Sequence, residues 1–268
     1  MAANQPLCIW IGYDDREAVA AHVCQHSIEK HTVSPLSIKY LEHRKLREKG
    51  LFRRPWEIEA ETGEYRDQID GKKFSTQFSH TRFLVPELMN FKGWALFMDS
   101  DMVFMSDVQK LFDLCDPQYA VMCVKHQHQT KEGEVKMDGR EQLRYHRKNW
   151  SSFVLWNCGH PANLTMTKEK VSFMKGGDLH AFSWLPDHLI GSLPFSYNYI
   201  SGVSPKLNIN RGGIPDVIHY TLGGPWFDEC KDVPFAGVWM QEFEDWQRNG
   251  QHVSDVPSVA FDREEIRK

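Results

Sequence analysis

The order of apolar and polar positions at the start of the chain predicts a strand, a helix and a second strand. Residues 7–11 form an apolar run with β-branched and aromatic members, and Gly12 ends it, which is typical of a buried strand. The segment after residue 15 repeats small and apolar side chains at the spacing of one helix face. Residues 37–41 alternate as a second strand does. This β-α-β order predicts a parallel sheet with a ligand site at the carboxyl ends of its strands.

Four later segments carry further strand signals. The strongest is residues 94–105, in which two apolar halves flank Asp99-Ser100-Asp101. The other three are residues 119–124, 153–156 and 217–220. Because helical and polar segments separate these runs, the pattern predicts an α/β fold.

Helices and polar segments are expected in the intervals. Residues 76–89 predict a helix that Pro86 limits or kinks. Ser106 is expected to cap a short helix. Residues 42–75 are polar and mixed, which favours a solvated helix or an excursion from the sheet.

The length fits one large domain or two small ones, and the composition is that of a folded protein. The chain has 268 residues, of which 41% are apolar, with 9 Trp and 16 Phe, so it is not a disordered chain. Residues 228–268 are predicted to be an irregular extension that Trp239 and Trp246 anchor to the same domain. The net charge of −4 argues against a general affinity for nucleic acid or anionic lipid, although it leaves a local basic cleft open.

Nothing in the hydropathy pattern predicts a membrane helix, which needs roughly 18 consecutive apolar residues. The first residues show neither the charged segment nor the apolar core of a signal peptide. The 6 cysteines contain no C-x-x-C pair, so we expect free thiols in a reducing compartment and interpret the protein as cytoplasmic.

The sharpest chemical feature is Asp99-Ser100-Asp101, because it interrupts an apolar strand. A buried carboxylate without a partner costs several kcal/mol, on the order found for buried ions, and a neighbouring carboxylate adds repulsion. A hard divalent cation such as Mg²⁺ or Mn²⁺ removes both costs, and residues i and i+2 of an extended chain point to the same side. The alternative is an exposed turn after Met98, although the apolar run that resumes at Met102 argues against it.

Three other places could carry chemistry or could be structural. His219 ends a late strand and could ligate a transition metal, although a lone histidine there is more often structural. Tyr13 and Asp14 follow the first strand, where they could contact a base or cap the next helix. Asp187 lies among apolar residues and could equally be a helix N-cap.

Six stretches of the chain resemble the family 8 retaining glycosyltransferases of GT-A type, the glycogenin-like enzymes and bacterial galactosyltransferases. In order they are IWIGYDDREAVAAHVCQHSI, FSHTRFLVPEL, WALFMDSDMVF, WNCGHPAN, DHLIGSL and HYTLGGPW, and they span residues 7 to about 227. The resemblance implies a single GT-A, Rossmann-like domain over residues 1–227, with a mixed, mainly parallel central sheet flanked by helices. Residues 126–150 would be an insert on the acceptor side.

The resemblance also implies a role for individual residues. Asp99 and Asp101 would hold Mn²⁺ or Mg²⁺ with His219 as third ligand, and Tyr13 with Asp14 would contact the uracil. The other implied residues surround the donor and the acceptor crevice: Gly12 and Ser100 beside the donor, Arg82 at its sugar or phosphates, Asn157 and Asp187 along the sugar and acceptor, and Gly223, Gly224 and Trp226 around the diphosphate.

The implied activity is metal-dependent transfer of a hexose from a nucleotide sugar, a UDP-sugar, to a saccharide or glycoconjugate with retained configuration. Asp187 as a covalent nucleophile is not favoured. One departure concerns Gly224, where relatives often carry Lys to neutralise the leaving phosphate; Arg211 or another base could substitute. Basic residues in the 126–150 insert could suit a phosphorylated glycan, an anionic lipid surface in peripheral contact, or modified DNA, although a solvated face explains them more simply.

Two rival functions stay open. A nucleotidyltransferase also uses paired carboxylates on an α/β sheet, but its glycine- and Lys/Arg-rich phosphate loop near the amino end is absent from this sequence. A sugar-nucleotide-binding protein of the same fold without transfer activity is the other rival, and the intact Asp99, Asp101 and His219 argue against it.

Overall fold

The structure, a computed structural model, describes residues 5–126, 147, 149–205 and 214–250. Its strands are β1 Leu7–Gly12, β2 Leu36–Leu41, β3 Trp56–Ile58, β4 Tyr65–Asp67, β5 Lys73–Phe74, β6 Trp94–Met98, β7 Met102–Phe104, β8 Val121–Cys123, β9 Phe153–Asn157, β10 Ile190–Ser192, β11 Tyr199–Ile200 and β12 Val217–His219. Its α-helices are α1 Ala18–His31, α2 His43–Glu48, α3 Val85–Leu88, α4 Gln109–Phe112, α5 Lys168–Phe173, α6 Gly176–His180 and α7 Ala236–Arg248.

A six-stranded central sheet organises the domain, with strand order β10-β8-β9-β6-β1-β2. β1 pairs in parallel with both β2 and β6, and β10 pairs in parallel with β8. β9 is antiparallel to its neighbours β6 and β8, so it alone runs against the other five strands. The predicted β-α-β start and the α/β fold with a mixed, mainly parallel sheet are therefore confirmed.

Core side chains cover both faces of this sheet, which explains why its central strands read as continuous apolar runs. Ile9, Ile11 and Leu96 pack on the face that α1 and α7 cover. Trp10 and Phe97 point to the opposite face, which α3 and the segments around α5 and α6 cover. Both strands thus follow the period of two that a pleated strand imposes.

The segment 94–105 is two strands, so the expectation of one long strand is wrong. β6 ends at Met98 inside the central sheet, and β7 pairs antiparallel with β12 in a second, three-stranded sheet of order β11-β12-β7. The polar residues 99–101 form the connection between the two sheets. The chain therefore leaves the central sheet where its carboxylates begin.

Two expected helical features differ in the structure. The helix predicted over 76–89 shrinks to a 3-10 turn at Thr81–Leu84 followed by α3, with Pro86 in its first turn. Ser106 is not a cap, because its hydroxyl donates 2.7 Å to the Asp216 carboxylate. The carboxylate of Asp107 instead accepts the backbone N–H of Gln109 at 2.9 Å.

The polar segment 42–75 contains α2 and then a small antiparallel sheet of order β3-β4-β5. Arg54 ties this sheet to the domain, because its buried guanidinium contacts the Asp67 carboxylate at 2.9 and 2.6 Å. The same guanidinium donates to the carbonyl oxygens of Val171 and Met174 at 3.2 and 2.6 Å. One fully buried cation therefore joins the small sheet to the α5 segment.

The expectation of an irregular extension over 228–268 is wrong for its central part, where α7 forms. Trp239 and Trp246 are 2% exposed and pack into the core beside α1, so the predicted anchors are confirmed. Their spacing of seven residues places them on one helix face, a period the sequence interpretation missed.

Most of the 126–150 insert, residues 127–146 and 148, lies outside the described residues. No helix in the described ranges has the length and apolarity to cross a membrane.

We predict that Arg54→Leu lowers the free energy of unfolding by about 3–5 kcal/mol, because it leaves the Asp67 carboxylate buried without its counter-ion. Urea unfolding followed by tryptophan fluorescence measures the change. Lys231→Leu is the control, since it removes an exposed ion pair with Asp228 and should cost no more than about 1 kcal/mol. Equal effects of the two substitutions would contradict the assigned role of Arg54.

Candidate functional site

Two sheets bring together, at the carboxyl end of β6, three side chains that could hold a metal ion. Asp99 directly follows β6, and Asp101 directly precedes β7. The antiparallel register of β7 and β12 sets His219 opposite Met102, and the Tyr220 N–H donates 2.9 Å to the Asp101 carbonyl. One ligand atom from each of Asp99, Asp101 and His219 lies within 4.8 Å of the other two.

Asp99 is held on both its backbone and its side chain. Its N–H donates 2.9 Å to the Ser152 carbonyl, and its carboxylate lies 2.9 Å from the Arg82 guanidinium. Burial raises the pKa of Asp99 to about 7, and the Asp101 carboxylate adds to the rise although Arg82 opposes it. The protein environment alone therefore disfavours the charged form of this carboxylate.

His219 is 1% exposed, and its two ring nitrogens have different surroundings. Nδ1 lies 2.8 Å from the Asn198 Oδ1, whereas Nε2 lies 3.2 Å from an Asp101 carboxylate oxygen. Burial alone would lower the pKa of His219, but the negative charges of Asp101 and Asp99 raise it overall.

The donor set fits a divalent cation. Within the described part of the chain, the buried atoms Asp101 Oδ1 and His219 Nε2 lie 3.2 Å from each other, and neither makes a hydrogen bond to any other group. Two carboxylates and one imidazole suit Mn²⁺, and the carboxylates suit Mg²⁺. A cation placed among them would remove the repulsion between the carboxylates that raises the pKa of Asp99.

A cavity of about 360 Å³ adjoins the three ligands. Its walls come from the small sheet, from the segment before β9 and from α6; they include Asp70, Phe74, His80, Arg82, Ser151, Gly176, His180 and Thr221, together with Asp99 and His219. Burial and nearby arginines lower the pKa of His180 to about 3 and that of His80 well below its usual value, so these two imidazoles favour the neutral form. The two imidazoles add neutral hydrogen-bonding groups, which can pair with hydroxyls, to a wall that also carries charged side chains such as Arg82 and Asp70.

The turn after β1 is built around Asp14. Its carboxylate, fully buried, accepts from the Arg16 guanidinium at 3.0 and 2.8 Å and from the Gln77 N–H at 3.0 Å. It also accepts the Arg16 N–H at 2.9 Å, so the predicted capping role is confirmed. The Tyr13 ring packs 5.4 Å from the Tyr40 ring. The contact of these two residues with a base stays a prediction.

Two of the predicted glycines are required by close packing. A Cβ on Gly12 would lie 2.4 Å from the Phe78 ring. A Cβ on Gly224 would lie 1.9 Å from the Trp226 ring, which packs in the core 5.1 Å from the Trp239 ring. A side chain at position 224 would therefore require the Trp226 indole to move. Gly223 has a φ of 109°. The diphosphate contacts predicted for Gly223, Gly224 and Trp226 stay predictions.

The structure does not bring Asn157 to the site, so its predicted place along the donor sugar is wrong. β9 is antiparallel to β6, with Phe153 opposite Met98 and Asn157 opposite Trp94. Asn157 therefore lies at the opposite end of the central strands, roughly 13 Å along β9 from the end that carries Asp99. There its amide donates 3.1 Å to the Tyr119 carbonyl.

Asp187 also differs from its predicted role. Its side chain is 83% exposed and forms an ion pair with Arg147, and the cavity walls include Arg147 but not Asp187. Asp187 begins a 3-10 turn whose N-cap is Pro186, so the N-cap interpretation is wrong as well. Ser100, the remaining predicted donor contact, is 1% exposed.

Sequence reasoning missed the residues that support the ligands. The Arg82 guanidinium donates to the Ser151 carbonyl at 2.9 Å, and the Asp99 N–H donates to the Ser152 carbonyl. Asn198 bonds to the imidazole of His219. Serine and asparagine at these positions carry no periodic signal, and only the reversed direction of β9 and the register of β12 bring them to the metal ligands.

An α/β sheet with a D-x-D pair at the end of a central strand and a histidine from a later strand is the architecture of a GT-A glycosyltransferase. The family model of glycosyl transferase family 8 matches residues 8–159. The Arabidopsis thaliana protein CDI is 43% identical over 252 residues, which cover 94% of this chain and 92% of that protein. The chain therefore belongs to glycosyl transferase family 8.

Solved structures share the fold at low sequence identity. The bifunctional glycosyltransferase WbbM has a TM-score of 0.60 at 19% identity over 93% of this chain. This chain spans 52% of the WbbM chain, about half its length. The galactosyltransferase LgtC, solved with donor and acceptor sugar analogues, has a TM-score of 0.55 at 14% identity, with 97% of this chain and 100% of LgtC covered.

We predict that Asp99→Asn changes how the stability of the protein in chelator depends on pH. The pKa of Asp99 is raised from its ordinary 3.8 to about 7, so the fold favours the protonated form and the wild type loses stability as pH rises through this window. The variant lacks this loss. Its free energy of unfolding relative to the wild type should therefore rise by about 2–4 kcal/mol from pH 4 to pH 8.

Urea unfolding at several pH values measures this slope. Asp113→Asn is the matched control, since Asp113 is exposed and the substitution should leave the slope unchanged. If the difference in free energy of unfolding between Asp99→Asn and the wild type does not change with pH, burial does not disfavour the charged form of Asp99.

Proposed function

We propose that this chain is a divalent-metal-dependent hexosyltransferase that uses a UDP-sugar and retains the configuration of the transferred sugar. The acceptor is a saccharide or glycoconjugate. The observation that carries the proposal is the convergence of Asp99, Asp101 and His219 beside a cavity whose wall also contains Arg82. Family membership supports glycosyl transfer as the reaction.

The two carboxylates and the imidazole would hold Mn²⁺ or Mg²⁺. When bound, such an ion supplies Lewis-acid stabilisation to the diphosphate that leaves the sugar. Arg82 supports the same step, because its guanidinium is 5% exposed and is fixed by the Ser151 carbonyl and the Asp99 carboxylate. A buried cation at the cavity wall is suited to hold the donor's phosphates or sugar hydroxyls.

The carboxylates in the cavity walls are already engaged with other groups, which argues against a covalent nucleophile in the retaining mechanism that we propose. Among the described residues, Asp67, Asp70 and Asp99 are the carboxylates in the cavity walls. Asp67 is paired with Arg54, Asp70 accepts the backbone N–H of Gly176 at 3.0 Å, and Asp99 belongs to the metal cluster.

The acceptor hydroxyl would then attack on the face that the diphosphate leaves. The new C1–O bond forms as the old C1–O bond breaks, and the acceptor proton passes to a donor phosphate oxygen. The walls of the cavity orient the two reactants for this displacement.

The remaining donor contacts are part of the proposal. Tyr13 and Asp14 at the end of β1 would receive the uracil, with Gly12 giving the turn its close approach to Phe78. Gly223, Gly224 and Trp226 would flank the diphosphate. We place the enzyme in the cytoplasm, which the six free cysteines of the described residues support.

We predict that Asp101→Ala abolishes Mn²⁺-dependent transfer and donor hydrolysis, because it removes one of two carboxylate ligands. Far-UV circular dichroism should show an intact fold. Asp228→Ala is the matched control, since the Asp228 side chain is 92% exposed and its loss should leave turnover unchanged. Turnover by Asp101→Ala at the wild-type rate would overturn the metal site.

We further predict that UDP-glucose or UDP-galactose is turned over only with Mn²⁺ or Mg²⁺, and that the product keeps the α configuration. Proton NMR of the anomeric signal, recorded before mutarotation, measures the configuration. A β product would exclude retention. Tight binding of both donors without turnover would favour the silent sugar-nucleotide-binding protein, and pyrophosphate release from a nucleoside triphosphate would favour a nucleotidyltransferase.

A further inference from the structure

We propose that Asn198 is a positioning residue that fixes the tautomer of His219, so that Nε2 faces the metal site with its lone pair. The inference rests on the proposed metal-dependent function but concerns a residue that contributes no ligand itself. Asn198 lies in a 3-10 turn at Phe195–Asn198, directly before β11, and is 1% exposed.

The orientation of the Asn198 amide follows from a chain of hydrogen bonds. The Ser152 hydroxyl lies 2.8 Å from the Asn149 carbonyl, and a carbonyl only accepts, so Ser152 must donate its single proton there. The Ser152 oxygen can then only accept from the Asn198 amide, which lies 3.0 Å away. Asn198 must therefore turn its NH₂ group toward Ser152 and its Oδ1 away from it.

The same chain decides which nitrogen of His219 carries the proton. Oδ1 of Asn198 lies 2.8 Å from Nδ1 of His219, and an amide oxygen only accepts, so Nδ1 must be the donor. In the neutral imidazole Nε2 then holds the lone pair. Nε2 is the nitrogen that faces Asp101, so the hydrogen-bond chain presents a ligand to the cation.

Position and burial make this arrangement stiff. The Ser152 carbonyl also accepts the Asp99 N–H. Ser152 therefore supports both the backbone of Asp99 and the side chain of Asn198, which in turn contacts His219. Ser152, Asn198 and His219 are each at most 5% exposed, which limits competition by water for the hydrogen bonds between them. Partners that orient a ligating histidine typically contribute tenfold to a hundredfold in metal affinity.

The test compares Asn198→Leu, which removes the acceptor oxygen, with Asn198→Asp, which keeps an acceptor oxygen toward Nδ1. We expect Asn198→Leu to bind Mn²⁺ about tenfold to a hundredfold more weakly, and Asn198→Asp to retain most of the affinity. Electron paramagnetic resonance of free Mn²⁺, with and without UDP, measures binding on the full chain. In ¹⁵N-histidine-labelled protein kept in chelator, at a pH high enough for a neutral imidazole, the His219 signal should show a protonated Nδ1 in the wild type and a protonated Nε2, facing Asp101, in Asn198→Leu.

Asn163→Leu is the control for a loss of buried amide hydrogen bonds. Asn163 is also fully buried and donates to the carbonyls of Ala120 and Asn157 at 2.7 and 2.8 Å, at the far edge of the sheet. It should lower stability and leave Mn²⁺ affinity unchanged. Equal Mn²⁺ affinity of Asn198→Leu and the wild type, or a wild-type His219 whose neutral imidazole is protonated at Nε2, overturns the inference.

The proposed function has a separate outcome. If the wild type binds no Mn²⁺ with or without UDP, both the metal site and the role of Asn198 are overturned. If the wild type binds and Asp101→Ala does not, while Asn198→Leu binds normally, the metal site stands and the positioning role is overturned. Loss in both Asn198→Leu and Asn198→Asp without the tautomer change would also assign Asn198 a purely structural role.

Discussion

The site depends on the antiparallel pairing of β12 with β7. β7 begins at Met102, one residue after Asp101. This register sets His219 opposite Met102 and joins Tyr220 to the Asp101 carbonyl. Residues opposite each other in an antiparallel pair have Cβ atoms about 5 Å apart, so a slip by two residues would move the imidazole out of reach of the carboxylates. A slip by one residue would turn it to the other face of the strand.

The reversed direction of β9 supplies the second constraint. An antiparallel strand between parallel neighbours begins where they end, so the residues before Phe153 lie at the edge that carries Asp99. Ser151 and Ser152 occupy that position, and their carbonyls and hydroxyl hold Arg82, Asp99 and the Asn198 amide. The ligands thus depend on the end of a strand that contributes no ligand.

Much of the sheet and the two carboxylates of the candidate metal site could be predicted from the sequence, because local patterns indicate them. β1 and β6 are apolar runs buried on both faces, and Asp99-Ser100-Asp101 interrupts the stronger of them. The small sheet could not be predicted, since its strands have only two or three residues and owe their place to the buried Arg54.

Asn157 illustrates a different limit of the sequence. The apolar run at 153–156 predicts the strand correctly, whereas the place of Asn157 along the donor sugar is implied only by the family resemblance. The direction of β9 is a property of the whole sheet rather than of the segment, because a reversed strand has the same apolar run as a parallel one. Asn198 was missed for the related reason that its role is set by a partner in another strand.

The cluster of Asp99, Asp101 and His219 is electrostatically unfavourable without a bound cation, and this supports a role in binding one. Burial disfavours the charge on Asp99, and Asp101 adds repulsion, while His219 is buried beside both. A fold under selection for stability alone would replace such groups by apolar side chains, which are often neutral or stabilising at the same place. Arg82 offsets the charge of the Asp99 carboxylate only in part. Local conflicts of this kind are expected where the chain must bind something charged, and a doubly positive ion is the partner that would resolve this one.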